Sequence, residues 1–263
     1  MRNIYQISDL HIGDGGSRDN FAVNGHRKDF NEFLDMVEDN SGLLVVTGDL
    51  FELWQSNISK VLTSNEALLD RLHAMGAVYI LGNHDSDLNY FTGKTKWLSH
   101  PFFQNMRQEL ALNINGQIYY FIHGHQADQY CCGDTPGFGR ITAIWSGLAE
   151  DKNGSPIVDK YRTVEDRTVG RLERISSFFS RLMGKPDRFT VINRGLAAFL
   201  RMGADKVFCG HTHFAGHIGD WHYNSGTWAE TTNSFVLINQ YGTVGVFDWA
   251  NGQATPNDKV LPT

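Results

Sequence analysis

The feature that most narrows the fold is an alternation of short apolar runs with stretches of helical periodicity. Residues 3–7, 43–47 and 78–81 are β-rich runs that stop at Ser8-Asp9, Gly48-Asp49 and Gly82-Asn83. Between them, Phe30, Phe33, Leu34 and Val37 recur at helical spacing. Leu68, Leu72 and Met75 do the same before Gly76 closes the segment. Runs 118–122 and 206–209 repeat the pattern, ending at His123 and at Gly210-His211, and residues 218–223, 234–239 and 243–249 have β character. Strands of this length alternating with helices predict a layered α/β fold. Such sheets place their sites just past the C-terminal ends of their strands.

The chain is long enough to fill such a fold. Its 263 residues are 41% hydrophobic and 20% charged, which suits one domain over 1–263 carrying an insertion. The strand signal lapses at about 129–203, and the insertion is expected there. No apolar run approaches the roughly 18 residues of a membrane-spanning helix. A candidate ligand already stands at Asp9, which leaves no room for a removable leader, so the cytoplasm is the expected compartment. Three cysteines, two of them adjacent (Cys131, Cys132), make no disulfide framework. Residues 129–203 hold 12 Lys/Arg against 8 Asp/Glu, leaving 11 against 21 elsewhere. An acidic body suits gathering cations better than coating nucleic acid, so no nucleic-acid partner is expected.

The strand ends carry the chemistry. In order they read Asp9-x-His11, Gly48-Asp49, Gly82-Asn83-His84-Asp85, His123-Gly-His125 and Gly210-His211-x-His213. Carboxylate, amide and imidazole without thiolate is a donor set for Mn²⁺, Fe²⁺ or Zn²⁺. In an extended segment residues i and i+2 share a face, which would let Asp9 converge with His11 and His211 with His213. Glycines 48, 82, 124 and 210 would let the backbone turn sharply beside a crowded centre. His73, His100 and His26 lack such company and read as helix-face, loop and surface residues. A single Asp-x-His or Gly-Asp at a strand end is ordinarily a turn; five such signals in this order point to one site.

The series resembles the calcineurin-like metallophosphoesterase superfamily, whose pattern is D-x-H, G-D, G-N-H-(D/E), H and G-H-x-H, matched across residues 4–213. The resemblance implies a four-layer αββα sandwich, two mixed β-sheets face to face and flanked by helices. It also implies two divalent cations, Mn²⁺ first and Fe²⁺ or Zn²⁺ as alternatives. Asp9, His11, Asp49 and His213 would hold one; Asp49, Asn83, His123 and His211 would hold the other, with Asp49 bridging. Two such cations about 3.5–4 Å apart clamp phosphoryl oxygens and make hydroxide available near neutral pH. His84 would be catalytic, stabilising charge or acting as general acid. Glu52 would orient His84 or else be an exposed acid. Asp85 divides between a partner behind the ligands and a turn residue, and His125 between a substrate or supporting contact and a surface histidine. Relatives with a purple iron centre carry tyrosine at the position of Glu52, so a ferric–phenolate centre is not expected.

Within the insertion, Leu172, Ile175, Phe179 and Leu182 form an apolar stripe beside Arg167, Arg171, Arg174 and Arg181. This reads either as a helical lid packed on the body or as a basic amphipathic helix meeting an anionic, lipid-like substrate or the inner membrane face. Arg171 and Arg174 are the candidate substrate contacts. The runs at 48–54 (GDLFELW), 123–128 (HGHQAD) and 223–230 (YNSGTWAE) resemble the UDP-2,3-diacylglucosamine hydrolase branch. Its best-known members carry arginine where His84 stands. The expected function is therefore hydrolysis of a phosphodiester or pyrophosphate in a phosphorylated small molecule or a nucleotide- or lipid-linked substrate. A phosphoprotein phosphatase or a cyclic-nucleotide phosphodiesterase is the alternative, although Leu53 stands where the former carry arginine. A non-catalytic scaffold is least favoured, because no ligand is missing.

Overall fold

The β-rich runs become strands wherever an inward-facing apolar side chain alternates with one facing the helices. The structure, a computed structural model, describes residues 2–16, 19–91, 99–128, 188–230 and 232–262. Strands β1 (Ile4–Ile7), β2 (Leu43–Thr47), β3 (Val78–Ile80) and β4 (Met106–Arg107) pair in parallel. Helices α1 (Asn20–Val23) and α2 (His26–Asp39) connect the first two; α3 (Ile58–Ser64) and α4 (Glu66–Ala74) connect the next two. Antiparallel β10 (Asn233–Ile238), β11 (Val244–Ala250) and β12 (Gln253–Pro256) extend this sheet past β1, giving the order β12-β11-β10-β1-β2-β3-β4. A second mixed sheet has the order β5-β6-β7-β9-β8. Its strands are β5 (Leu110–Ile114), β6 (Gln117–Phe121), β7 (Lys206–Cys209), β8 (Gly216–Ile218) and β9 (His222–Asn224).

Three apolar clusters define four layers. Phe30, Phe33, Leu34 and Val37 of α2, with Leu69 and Leu72 of α4, pack on Tyr5, Ile7, Leu44, Val46 and Tyr79 of the first sheet. The opposite face of the same strands, Ile4, Val45 and Ile80, meets Phe121, Phe208 and Tyr223 of the second sheet. Ile122, Val207 and Cys209 on the outside of the second sheet are covered by Ile192 and Leu196 of α6 (Arg188–Leu196), which α7 (Ala198–Arg201) follows. A short helix α5 (Leu88–Phe91) comes after the third strand. Each fully buried Leu, Ile or Phe contributes about 1.5–3 kcal/mol, so these three interfaces dominate the folding energy. The expected αββα sandwich is what forms. Among the described residues no helix is long and apolar enough to cross a membrane.

A polar pin crosses the inter-sheet layer directly beneath the strand ends. Gln6 is fully buried, and its Nε2 donates to Thr47 Oγ1 (2.6 Å), to Cys209 O (2.8 Å) and to Ser225 Oγ (3.0 Å). It therefore ties both sheets together where their ligand loops begin.

Several expectations are corrected in detail. Residues 218–223 are not one strand. Gly219 and Asp220 turn the chain between β8 and β9, which pair antiparallel. Strands β4, β5 and β12 carried too weak an alternation to be read, because they lie at sheet edges where one or both faces stay open. In α4 the buried face is Leu69 and Leu72, while Leu68 and Met75 are only partly buried. His26 is not a surface residue: it starts α2 and is buried beside Phe21. His73 is exposed on α4, and His100 caps the short 3₁₀ turn Pro101–Asn105. Of the insertion expected at 129–203, residues 188–201 form the outer helical layer of the second sheet. Arg167, Arg171, Arg174, Arg181 and the stripe beside them lie outside the described residues.

Candidate metal centre

Five loops converge at the C-terminal ends of β1, β2, β3, β6 and β7. The first two are zipped together: Asp9 N donates to Gly48 O (3.1 Å), and Leu10 N and His11 N both donate to Asp49 O (3.0 Å each). The expected residues meet, but not by extended backbone. Asp9, His11, Asp49, His211 and His213 all have left-handed φ, between 49° and 68°. Asp, Asn and His tolerate that region better than other non-glycine residues. The i and i+2 side chains are thus aimed inward by alternate left-handed turns rather than by a strand's pleat. The glycines also divide. Gly48 has a positive φ (93°), whereas Gly82 and Gly210 are there for space: a Cβ at Gly82 would stand 2.1 Å from Asp49 Oδ1, and one at Gly210 2.1 Å from Ser8 Oγ.

The candidate ligand atoms gather tightly. Asp9, His11 and His213 bring one atom each within 4.8 Å of one another, and so do Asp9, Asp49 and His123. His213 Nε2 is 3.3 Å from Asp9 Oδ1, His11 Nε2 is 3.9 Å from it and His123 Nε2 is 4.0 Å. Asp49 Oδ2 lies 3.2 Å from His123 Nε2 and 3.9 Å from His11 Nε2, between the two groups. Asn83 Oδ1 is 3.0 Å from His123 Nε2. Asp9 Oδ1, at the middle, is buried and has no hydrogen-bond partner. A buried carboxylate oxygen without a donor is costly, and one ringed by three imidazole nitrogens fits a cation.

Outer partners settle which ring nitrogen faces inward. His123 Nδ1 donates to Thr47 O (2.8 Å), His11 Nδ1 lies 3.2 Å from Glu52 Oε2, and His213 Nδ1 lies 2.8 Å from Glu230 Oε1. In each ring Nε2 is left for the centre, the arrangement by which metal-binding histidines are generally oriented. His211 is turned the other way. Its Nε2 is 2.9 Å from Asp128 Oδ2, so Nδ1 is the atom left over, and its ring stands 5.2 Å from that of His123.

The remaining candidates take distinct places. Glu52 is buried, not an exposed acid: Oε1 accepts from Trp54 N (2.9 Å) and Oε2 lies 2.7 Å from His84 Nδ1. A grouping of His11, Glu52 and His84 is also compact enough for a cation. Glu52, however, already accepts from both Nδ1 atoms, which accounts for that closeness. His84 stacks on Trp54 with ring centroids 3.8 Å apart, its Nε2 free of these bonds. Asp85 is fully buried behind Asp49. It accepts from Gly82 N (2.7 Å), Leu50 N (2.8 Å) and the Tyr79 hydroxyl, locking the β3 loop to the β2 loop. His125 is part-buried, 5.3 Å ring to ring from His123, and its Nδ1 is enclosed without a partner.

The electrostatics follow from packing acids among imidazoles. Burial opposes ionisation of Asp9, but His123 and His213 outweigh it and lower its carboxyl to about 2. Burial likewise opposes charge on His123 and His213; Asp49 and Asp9 raise the first to about 9, and Asp9 and Glu230 raise the second to about 10. Each such proton occupies a lone pair that a cation would take, so cation binding releases protons. Burial also works against charge on His84, yet Glu52 and Asp49 raise its pKa. That keeps a proton available to donate. Burial and then Asp49 push Asp85 up to about 7. Burial and the neighbouring His123 push His125 down to about 3. Asp128, Glu230, Trp54 and Thr47 O were missed as site residues from sequence. The first three lie in the runs 48–54, 123–128 and 223–230, which is the signal that could have found them.

Comparison with known proteins gives the family and the fold. The profile of a family described as Calcineurin-like phosphoesterase matches residues 2–215. A UDP-2,3-diacylglucosamine hydrolase of Psychromonas ingrahamii is 28% identical over 139 residues, 51% of this chain and 50% of that protein. The match thus spans about half the length of the relative. Among solved structures, a dimetal phosphatase from Danio rerio superposes with a TM-score of 0.52 at 10% identity, over 97% of this chain and 98% of that one, a likeness of fold. An archaeal phosphodiesterase aligns at a TM-score of 0.44 and 10% identity over 94% of this chain and 99% of that one.

Proposed function

The chain belongs to the calcineurin-like phosphoesterase family, and on that premise we propose that it hydrolyses a phosphodiester or pyrophosphate with the help of two divalent cations. The observation that carries this is Asp9 Oδ1, buried and unpartnered amid the Nε2 atoms of His11, His123 and His213. Asp9, His11, Asp49 and His213 would hold one cation, and Asp49, Asn83, His123 and His211 the other. When bound, the cations supply charge for the phosphoryl oxygens and lower the pKa of water.

The chain's own residues do the rest. Glu52 fixes His84 through Nδ1, and Trp54 holds the ring flat, so a proton on Nε2 is aimed at the leaving oxygen. Asp85 and Gly82 keep Asp49 in place from behind. The preferred substrate class is a nucleotide- or lipid-linked pyrophosphate. It is supported by the runs at 48–54, 123–128 and 223–230 and by the hydrolase relative. His84 in place of arginine is the departure from that branch. The reading is tested by stripping the protein of metal and following bis-(p-nitrophenyl) phosphate and a nucleotide-linked pyrophosphate. Both activities should vanish and return with Mn²⁺. Turnover that survives complete chelation would overturn the two-cation reading.

A further inference from the structure

One ion pair reaches from the outer helical layer to a ligand histidine. Arg188, the first residue of α6, donates from Nε (3.1 Å) and from Nη2 to Asp128 Oδ2. The same oxygen lies 2.9 Å from His211 Nε2. The Arg188 side chain is 40% exposed, whereas Asp128 (1%) and His211 (6%) are buried. Arg188 and Asp128 are 60 residues apart in sequence, so the contact is tertiary rather than a local turn.

The physics of this line is specific. A carboxylate this deeply buried is stable only when paired and hydrogen-bonded. Arg188 supplies a planar fork that can satisfy one carboxylate in a fixed orientation, which a lysine cannot reproduce. The oxygen so held, Oδ2, also faces His211, and because a carboxylate accepts, Nε2 is the donor. Among the described residues no Lys or Arg contacts Glu230 or Glu52, which orient His213 and His11.

We propose that Arg188 is a positioning residue for His211, acting through Asp128: the guanidinium holds the carboxylate against Nε2 and leaves Nδ1 as the atom that ligates a cation. This rests on the two-cation reading above. Arg188 then governs one cation of the pair and not the other.

The test uses the whole chain, with Mn²⁺ as the probe. Wild type should bind two equivalents in equilibrium dialysis. Arg188→Gln should weaken one of them by about 10–100-fold, the usual loss for an outer partner of a ligand, and leave the other unchanged. In metal-free protein, two-bond nitrogen–proton NMR of labelled histidines should show His211 as the Nε2–H form in wild type and a mixture in Arg188→Gln. Arg188→Lys, which keeps the charge, should fall between, and it serves if the glutamine variant does not fold. Unchanged affinities and an unchanged His211 tautomer would overturn the proposal. So would a lowered Tm with both equivalents weakened alike, the mark of a merely structural anchor. Fewer than two equivalents in wild type would instead count against the two-cation reading, and the tautomer would still judge Arg188.

Discussion

The two sheets contribute unlike chemistry to one centre. Loops of the seven-stranded sheet bring the oxygen donors Asp9, Asp49 and Asn83 together with His11 and His84. Loops of the five-stranded sheet bring only imidazoles, His123, His125, His211 and His213. The acids that serve the second group, Asp128 and Glu230, stand behind the rings and not beside the centre. The difference teaches how a buried cluster of opposite charges is kept open. Carboxylates on one wall and rings on the other attract across the gap, while Gln6 holds the walls at a fixed separation.

The sharpest way to break the comparison is to remove an oxygen donor. Asp49→Ala should abolish activity and lower bound metal below that of His213→Ala, well beyond the ~10–100-fold loss of an outer partner. Elemental analysis decides; equal stoichiometry in both variants would deny Asp49 its bridging place. Asp9 lies in two compact groupings yet is placed with one cation only, so Asp9→Ala, which should spare the other cation, is the useful companion. His84→Ala probes the one ring on the carboxylate wall that no cation needs. Metal content should persist while kcat falls by roughly 10²–10⁴. Metal lost together with activity would move His84 among the ligands.

Gln6→Ala tests the spacing itself. It should cost about 1–3 kcal/mol in denaturant unfolding, since Thr47, Ser225 and Cys209 O lose a shared buried donor. Unchanged stability would mean the apolar layer alone sets the separation. The smallest effect concerns a ring with no acid behind it. His222, in β9, is fully buried with Nδ1 unpartnered, and burial lowers its pKa to about 4. Between that value and the ordinary 6.5 the unfolded chain binds the extra proton, so stability is lost as pH falls. The loss should be about 1 kcal/mol between pH 7 and 5.5. His222→Gln should flatten that part of the stability profile; an identical slope would assign it elsewhere.

Much of this was legible in the sequence, for identifiable reasons. Strands β1, β2, β3, β6 and β7 are apolar-rich because both faces are covered, and the candidate ligands that follow them are chemically conspicuous. What stayed hidden depended on tertiary contact. Nothing local says that His26 is buried, that Glu52 turns inward to hold two rings, or that Asp128 meets Arg188. The reason given for Asp9 with His11 was also wrong in kind: the pairing holds, but the backbone makes it by left-handed turns.

Those turns have a consequence for anyone who would move this centre elsewhere. Among the described residues eight that are not glycine have positive φ, and five of them are candidate ligands. A left-handed residue costs roughly 1–2 kcal/mol, and here the cost is borne at Asp9, His11, Asp49, His211 and His213 together. Grafting the same side chains onto relaxed strand ends of another scaffold would give the right donors pointing in the wrong directions. The transplantable unit is the set of kinked loops together with their braces, Thr227 Oγ1 and Trp228 N donating to Asp9 O (2.8 and 3.0 Å) and Ser8 Oγ donating to Gly226 O (3.0 Å); a designer who copies the seven candidate ligands alone copies too little.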